Sequence, residues 1–287
     1  MNDNYQHKKD LSKQATKINW FPGHMHQTMN QIMKLKPQIN LIIEIKDARA
    51  VIASDNYQLS AIFTNKPILK IYLKKDLADP NLCPKLSFNS FDSNTRDQII
   101  AACETALDSQ LKKAQNKGML NPILQILVCG LPNLGKSTII NKLVRKNVAL
   151  TADTPGLTKK FTAFKFHKNM WVYDTPGVFY KKVSNEQIGY QLALIGAIKR
   201  ELIPLQETLK YAYQFLSKNY YHLLTNLVNQ PLNHDFDQFL LLLAQKQNFK
   251  IKNNNWDLDK TMWYFYDLIR TGKIGPISWT LSNDNHW

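Results

Sequence analysis

Along the first two thirds of the chain the apolar residues gather in short runs of strand length. Residues 41–45 (LIIEI), 67–73 (PILKIYL), 122–129 (PILQILVC) and 170–173 (MWVY) are rich in β-branched, leucine and aromatic side chains and give way at once to polar or turn-forming residues. Residues 86–90 (LSFNS) form a shorter strand-like run. After about Ser184 the period lengthens to that of a helix. Residues 186–203 carry Ile188, Leu192, Leu194 and Ile195 and end near Pro204, residues 207–216 begin a second amphipathic run, residues 235–247 place Phe236, Phe239, Leu240 and Leu243 on one face, and residues 259–269 do the same with Met262, Trp263, Phe265 and Tyr266. Such stripes are packing faces. The pattern predicts a doubly wound α/β domain over residues 1–184 and a small all-α domain over 185–287. A polar linker at 112–121 joins the two halves of the first domain, and residues 1–18 stand as a candidate disordered segment.

The run at 122–129 leads into Gly130-Leu131-Pro132-Asn133-Leu134-Gly135-Lys136-Ser137-Thr138, which fits G-x-x-x-x-G-K-S. A strand feeding a glycine loop that opens a helix is the setting in which this motif binds phosphate. The loop amides close around the β-phosphate, Lys136 places a charge toward the β and γ oxygens, and the Ser137 hydroxyl can ligate Mg2+. A turn needing glycine only for its backbone angles would not call for Lys-Ser after the second glycine. A nucleoside triphosphate is therefore the expected ligand. Asp174-Thr175-Pro176-Gly177 follows the strand at 170–173 and supplies a carboxylate to hold the metal through water and, at Gly177, an amide suited to sensing a γ-phosphate. Between the two motifs lies the turn-rich stretch Thr154-Pro155-Gly156-Leu157-Thr158-Lys159-Lys160. Thr158 is the candidate hydroxyl that joins the metal shell only when the γ-phosphate is present; the other reading is an ordinary loop threonine.

Guanine presents N1–H and a 2-amino group side by side, so a carboxylate accepting from both separates it from adenine. Downstream of Gly177 nothing places a lysine and an aspartate after a strand. Upstream, Lys74-Lys75-Asp76 follows the run at 67–73 directly, making Asp76 the candidate base reader with the Lys74 stem packed on the ring, while Asn89 and Ser90 can offer backbone N–H groups to the guanine oxygen. Base-reading residues thus precede the phosphate loop, an order that a closed domain tolerates because its termini lie at the surface.

With these motifs in hand, the chain resembles the circularly permuted GTPases and, within them, the ribosome biogenesis GTPase A group. The likeness spans most of the chain and is carried by Trp20-Phe21-Pro22-Gly23-His24-Met25, Asp47-Ala48-Arg49, Lys74-Lys75-Asp76, Asn89-Ser90, the phosphate loop, Pro155-Gly156-Leu157-Thr158, Asp174 to Gly177, and Arg270-Thr271-Gly272-Lys273-Ile274-Gly275. It implies a P-loop GTPase fold with permuted strand order and hydrolysis of GTP with Mg2+. It also implies GTP/GDP, the large ribosomal subunit and its rRNA as partners, and the helical segment as an RNA-binding appendage. The chain departs from the pattern at three places. Leu73 stands where the family carries an asparagine that braces the phosphate loop and touches the purine. Leu134 replaces a common valine, a mild apolar exchange. Val178 follows the Asp-x-x-Gly turn where many GTPases place a water-orienting glutamine, and valine cannot hydrogen-bond water. The family assigns that task to a histidine of the Pro-Gly-His segment, here His24, whose imidazole can accept from water but could equally cap the helix that follows. His26 reads as a surface residue. In related GTPases an asparagine at the place of Asn133 helps hold K+ against the phosphates.

Composition narrows the surroundings. Lysine and arginine number 37 against 22 aspartates and glutamates, a formal charge of +15, which favours a polyanion partner, although a lysine- and asparagine-rich composition also marks an AT-rich genome. Lys159, Lys160, Lys165, Lys168, Lys181 and Lys182 crowd the switch region; a solvated basic face is the alternative reading. Lys199, Arg200, Arg270 and Lys273 are candidate RNA phosphate contacts, with Trp256 a weaker stacking candidate. The three cysteines, Cys83, Cys103 and Cys129, follow neither disulfide nor zinc spacing. No run reaches the ~20 apolar residues of a membrane span, and a cytoplasmic protein, monomeric off the ribosome, is expected. Two rivals remain: an RNA-binding module that nucleotide merely organises, with negligible hydrolysis, and a permuted GTPase that acts on a different RNA.

Overall fold

The structure, a computed structural model, describes residues 32–145, 151–152, 163–174, 185–232, 235–251 and 255–280. These divide into two units. One is built on a sheet and includes residues 195–197 and 275–280; the other is helical and takes in residues 185–194 and most of 198–274. The chain therefore returns to the sheet unit twice after residue 185.

Among the described residues seven strands form one sheet: β1 (Leu41–Asp47), β2 (Ile68–Leu73), β3 (Ser87–Phe88), β4 (Leu124–Gly130), β5 (Thr151–Ala152), β6 (Ala163–His167) and β7 (Met170–Asp174), in the order β3-β2-β1-β4-β7-β6-β5. β1, β2, β3, β4 and β7 run parallel, and β6 and β5 close one edge antiparallel. The chain works outward from β1 to β3 and then re-enters at β4 on the other side of β1. That reversal is a topological switch point, where open α/β sheets bind ligands beyond the carboxyl ends of their strands. The mixed α/β architecture and its permuted order agree with the sequence reading.

Both faces of the sheet are covered. Ile42, Leu127, Cys129 and Tyr173 face a cluster that includes Ile32, Leu35 and Ile39 and, from α1 (Tyr57–Ile62) and its end, Leu59 and Phe63. On the opposite face Ile43, Ile45, Ile126, Val128 and Val172 are equally inaccessible, which is why the central parallel strands read as near-continuous apolar runs. α2 (Thr95–Gln115) buries Ile99, Ile100, Cys103 and Leu107 at helical spacing and takes up the first residues of the expected linker. Burial pushes the Cys103 thiol up to about 12 and Cys129 well above its ordinary value, so both are inert packing thiols.

The helical unit holds α4 (Glu186–Leu194), α5 (Leu205–Asn219), α6 (Tyr221–Val228), α7 (Phe236–Gln247) and α8 (Leu258–Thr271), while α3 (Lys136–Val144) belongs to the sheet unit. Its core is aromatic: Tyr213 lies 5.7 Å from Phe236 and 5.1 Å from Phe239, and Phe239 meets Phe265 edge-on at 4.9 Å. Each such pair contributes about 0.5–1.5 kcal/mol beyond area burial. Asp235 and Asp257 cap α7 and α8. The apolar stripe that predicts one helix over 186–203 is broken after Leu194, where Gly196 takes φ 80 and only a 3-10 turn at Arg200–Leu202 follows.

Candidate nucleotide-binding site

The phosphate half is one continuous segment, β4, its loop and α3. Gly130 has φ 149, and a Cβ there would strike the Ile45 carbonyl, so only glycine lets β4 end this close to β1. Gly135 has φ 101 and opens α3. Asn133, at the loop tip, is exposed with φ 60. Leu134 is buried, an apolar anchor for the loop. Lys136 is 93 % inaccessible, only 7 % exposed, and its ammonium donates to Leu131 O at 3.1 Å. Ser137 and Thr138 are exposed on the first turn of α3. β4 pairs with β7 so that Val128 stands opposite Asp174. Burial lowers the Lys136 pKa against the pull of Cys129 and Asp174, and burial raises that of Asp174 against the pull of Lys136. A buried cation and a half-buried carboxylate, each short of compensation, suit an anion and a metal ion arriving together.

The base half is assembled from segments far apart in sequence. β1 lies between β2 and β4, with Asp47 level with Leu73 and Ile45 level with Gly130, so the ends of the three strands share one rim. Leu73 is fully buried, and a Cβ added at Gly135 would stand 3.0 Å from its Cδ1. The residue that replaces the bracing asparagine thus touches the phosphate loop through methyl packing. Lys74 turns left-handed, φ 61, and its Nζ reaches Asp47 Oδ2 at 3.0 Å and Ile195 O at 3.3 Å. Asp47 also accepts from Arg49 Nε at 3.0 Å and Nη2 at 2.9 Å, and Arg49 Nη2 donates to Ile195 O at 3.1 Å. Burial alone would raise the Asp47 carboxyl, but Arg49 and Lys74 overrule it and hold its pKa below the ordinary value. The loop is backed by residues 277–279: Ile277 N donates to Leu77 O at 3.0 Å, Asp79 N to Ser278 Oγ at 3.1 Å, and Trp279 N to Arg49 O at 2.6 Å. Lys75 and Asp76 are exposed in the 3-10 turn at Lys75–Leu77. Beyond β3, Asn89 Oδ1 accepts from Phe91 N at 3.0 Å, and Ser90 O accepts from Lys142 of α3 at 2.9 Å.

The structure therefore gathers Lys74, Lys75, Asp76, Asn133, Leu134, Gly135, Lys136, Ser137, Thr138 and Asp174 along one rim of the sheet, with Asn89 and Ser90 following β3. His24, Thr158 and Gly177, like Val178 and residues 1–18, lie outside the described residues. In the helical unit Arg200 and Arg270 meet on Asp267, each at 3.4 Å, and Arg200 stacks over Trp263 at 4.0 Å. Lys199 and Lys273 are exposed, and Trp256 sits under Lys250 at 5.2 Å. Sequence reasoning named Lys74 as a site residue and Asp47-Ala48-Arg49 as a family motif, but it did not join Asp47, Arg49 and Lys74 into one ion cluster. Its only local signal is an aspartate and an arginine two residues apart at the end of an apolar strand.

Residues 125–247 match the family described as 50S ribosome-binding GTPase. A probable ribosome biogenesis GTPase A of Mycoplasma pneumoniae is 34% identical over 275 residues, 95% of this chain and 99% of that protein. This chain belongs to the ribosome biogenesis GTPase A family. A ribosome biogenesis GTPase A of Bacillus pumilus is 32% identical over 91% of this chain and 97% of that protein. The crystal structure of GNP-bound YlqF from T. maritima has the same fold, with a TM-score of 0.60, 22% identity, and coverage of 88% of this chain and 97% of that one. Family members carry Mg2+-dependent GTPase chemistry on this fold. No helix among the described residues is long and apolar enough to cross a membrane.

Proposed function

We propose that this chain is a GTP-hydrolysing assembly factor that acts in the cytoplasm during maturation of the large ribosomal subunit and binds its RNA in a nucleotide-dependent way. The observation that carries the reading is the packing of Leu73 against Gly135, which joins the end of the base-reading strand to the phosphate loop. A purine whose base reaches Asp76 then has its phosphates at Lys136.

In this reading Asp76 accepts from guanine N1–H and the 2-amino group. With the Lys74 ammonium engaged by Asp47 and Ile195 O, its aliphatic stem remains to lie along the ring. Lys75 adds charge beside the loop, and Asn89 and Ser90 border the guanine oxygen. The amides of Gly135 to Thr138 and the Lys136 ammonium hold the phosphates, and the Gly177 amide reads the γ-phosphate. Mg2+ fits the donor set: a serine hydroxyl at the start of α3 and a carboxylate at the end of the neighbouring strand are hard oxygen donors, and a metal that leans on phosphate oxygens needs only one or two protein ligands. Ser137 would hold it directly, Asp174 through water, and Thr158 would join when the γ-phosphate is present. When bound, the ion neutralises charge on the transferring phosphoryl group. His24 orients the attacking water in place of the side chain that Val178 lacks, and Asn133 steadies a K+ ion. Lys199, Arg200, Arg270 and Lys273 bind rRNA phosphates. A reading without hydrolysis draws support from Leu73 and Val178, two apolar residues at positions where GTPases place polar ones.

The test is phosphate release from GTP and ATP, with and without large ribosomal subunits, and with Lys136→Ala as the blank. GTP-specific release that rises on the particle is the expected result. Rates equal with and without subunits would remove the assembly-factor switch, and release no greater than the blank would favour the module without hydrolysis.

A further inference from the structure

At the far end of α3 from the phosphate loop, about 12 Å along the helix axis, lies a pocket of about 260 Å³ lined by Arg96, Arg145, Lys165, Phe166, His167 and Lys168, together with Val144. Four of these residues are cations. Arg96, from the first turn of α2, donates from Nε to Leu143 O at 3.0 Å and from Nη2 to Phe166 O at 2.7 Å. These bonds tie the end of α3 to β6 and spend donors on neutral carbonyls, leaving the charge of Arg96 in place. A single carboxylate, Glu104, serves both Lys168 at 3.1 Å and His167 at 3.3 Å. Asp97, 74% exposed, lies 3.3 Å from Arg96. Arg145 and Lys165 are exposed and meet no counter-charge among the described residues. Arg145 and Lys168 both hold positive φ, 49 and 30, conformations that non-glycine residues keep only where the surroundings over-determine them.

We propose that this pocket is an RNA backbone site, in which Arg145 and Lys165 contact phosphodiester oxygens while Arg96 positions the two walls. The volume falls below the range of about 300–1,000 Å³ usual for whole small ligands and suits one unit of a longer polymer. The excess of cations matches a repeating anion, and none of the lining residues belongs to the nucleotide site. The inference rests on the RNA-binding reading above and adds a second contact surface, on the sheet unit, at the opposite end of the helix that begins at Lys136.

The experiment measures binding of the full chain to large ribosomal subunits and to a single-stranded RNA oligonucleotide over a range of salt concentrations. It compares wild type, the double variant R145Q/K165Q and the charge-matched control K113Q/K117Q, with nucleotide affinity as the measure of folding. Each lost phosphate contact lowers the slope of log K against log salt by about 0.7–0.9. R145Q/K165Q is expected to reduce the slope by about 1.5 while the control leaves it near the wild-type value. Equal slopes for the two variants overturn the site. If wild type binds the oligonucleotide but not the particle, the ribosomal reading falls, and the oligonucleotide slopes alone decide for or against the pocket. Competition by polyglutamate as effective as by RNA of equal charge overturns the proposal in favour of an acidic protein partner.

Discussion

The two halves of the candidate site are built in opposite ways. The phosphate loop is a single stretch, from Leu124 through α3, in which Gly130 and Gly135 hold positive φ, with Asp174 added from the neighbouring strand. The base half is a convergence: Asp47 and Arg49 from β1, residues 73–79, Ile195 and residues 277–279, held by buried charge and backbone hydrogen bonds. The first depends on local backbone angles that glycine allows. The second depends on distant segments staying docked. Ile195 and residues 277–279 are where the chain returns to the sheet unit after α4 and α8.

The largest effect that could break this contrast is expected at Arg49. Arg49→Ala leaves Asp47 fully buried with only Lys74 beside it, and removing one partner of a buried pair costs roughly 3–5 kcal/mol, to be read by denaturant unfolding. A loss within 1 kcal/mol would mean that the base half does not depend on this cluster. The same cluster sets a pH dependence. Because the folded Asp47 pKa lies below its unfolded value, its contribution is present above the unfolded pKa, near 4, and is lost as pH falls through the folded one. Acid unfolding of Arg49→Ala is therefore expected to begin at higher pH than that of wild type.

Next comes the seam. Leu73→Ala removes a buried side chain against Gly135 and should cost about 2–5 kcal/mol of stability while weakening GTP and GDP together. The ratio of GTP to ATP affinity should hold, since Leu73 touches the loop and not the base. A changed ratio would assign base reading to Leu73 itself.

The smallest effect separates the phosphate half by sign. Asp174 has its folded pKa raised by burial, so its ionised form at neutral pH opposes folding, and that penalty shrinks as pH falls through the folded pKa and is gone below the unfolded one. Asp174→Asn is expected to raise the thermal stability of the nucleotide-free protein slightly, because solvent screening weakens the penalty on a half-buried group, while abolishing Mg2+-dependent turnover. Lower stability would show that the carboxylate is structural.

Much of this was legible in the chain for reasons that track locality. The strands at 41–45, 67–73, 122–129 and 170–173 declare themselves because buried parallel strands need near-continuous apolar residues, and the phosphate loop because backbone angles force its glycines. β6 and α6 were not legible: β6 mixes Lys165 and His167 with its apolar residues, and α6 is a short helix supported by packing on its neighbours. The helix expected over 186–203 ends at Leu194 because Gly196 adopts a left-handed turn and the chain crosses to the sheet unit. The backing of the base loop by Ile195 and residues 277–279 joins positions more than a hundred apart, and no spacing rule connects them. Leu73 could be flagged as a departure from its family, but its contact with Gly135 needed coordinates.

If Asp76 and Lys136 hold opposite ends of one nucleotide, exchanging the base must act through residue 76 alone. Xanthine carries a carbonyl where guanine carries its 2-amino group, so an amide at residue 76 can donate to xanthine where the carboxylate accepts from guanine. GTP and XTP affinities of wild type, Asp76→Asn and Lys136→Ala can be measured by equilibrium titration. Wild type is expected to prefer GTP, Asp76→Asn to invert the preference toward XTP, and Lys136→Ala to weaken both nucleotides alike. GTP affinity that survives Asp76→Asn unchanged, yet is lost in Lys136→Ala, would contradict this and leave the two halves of the rim without a shared ligand.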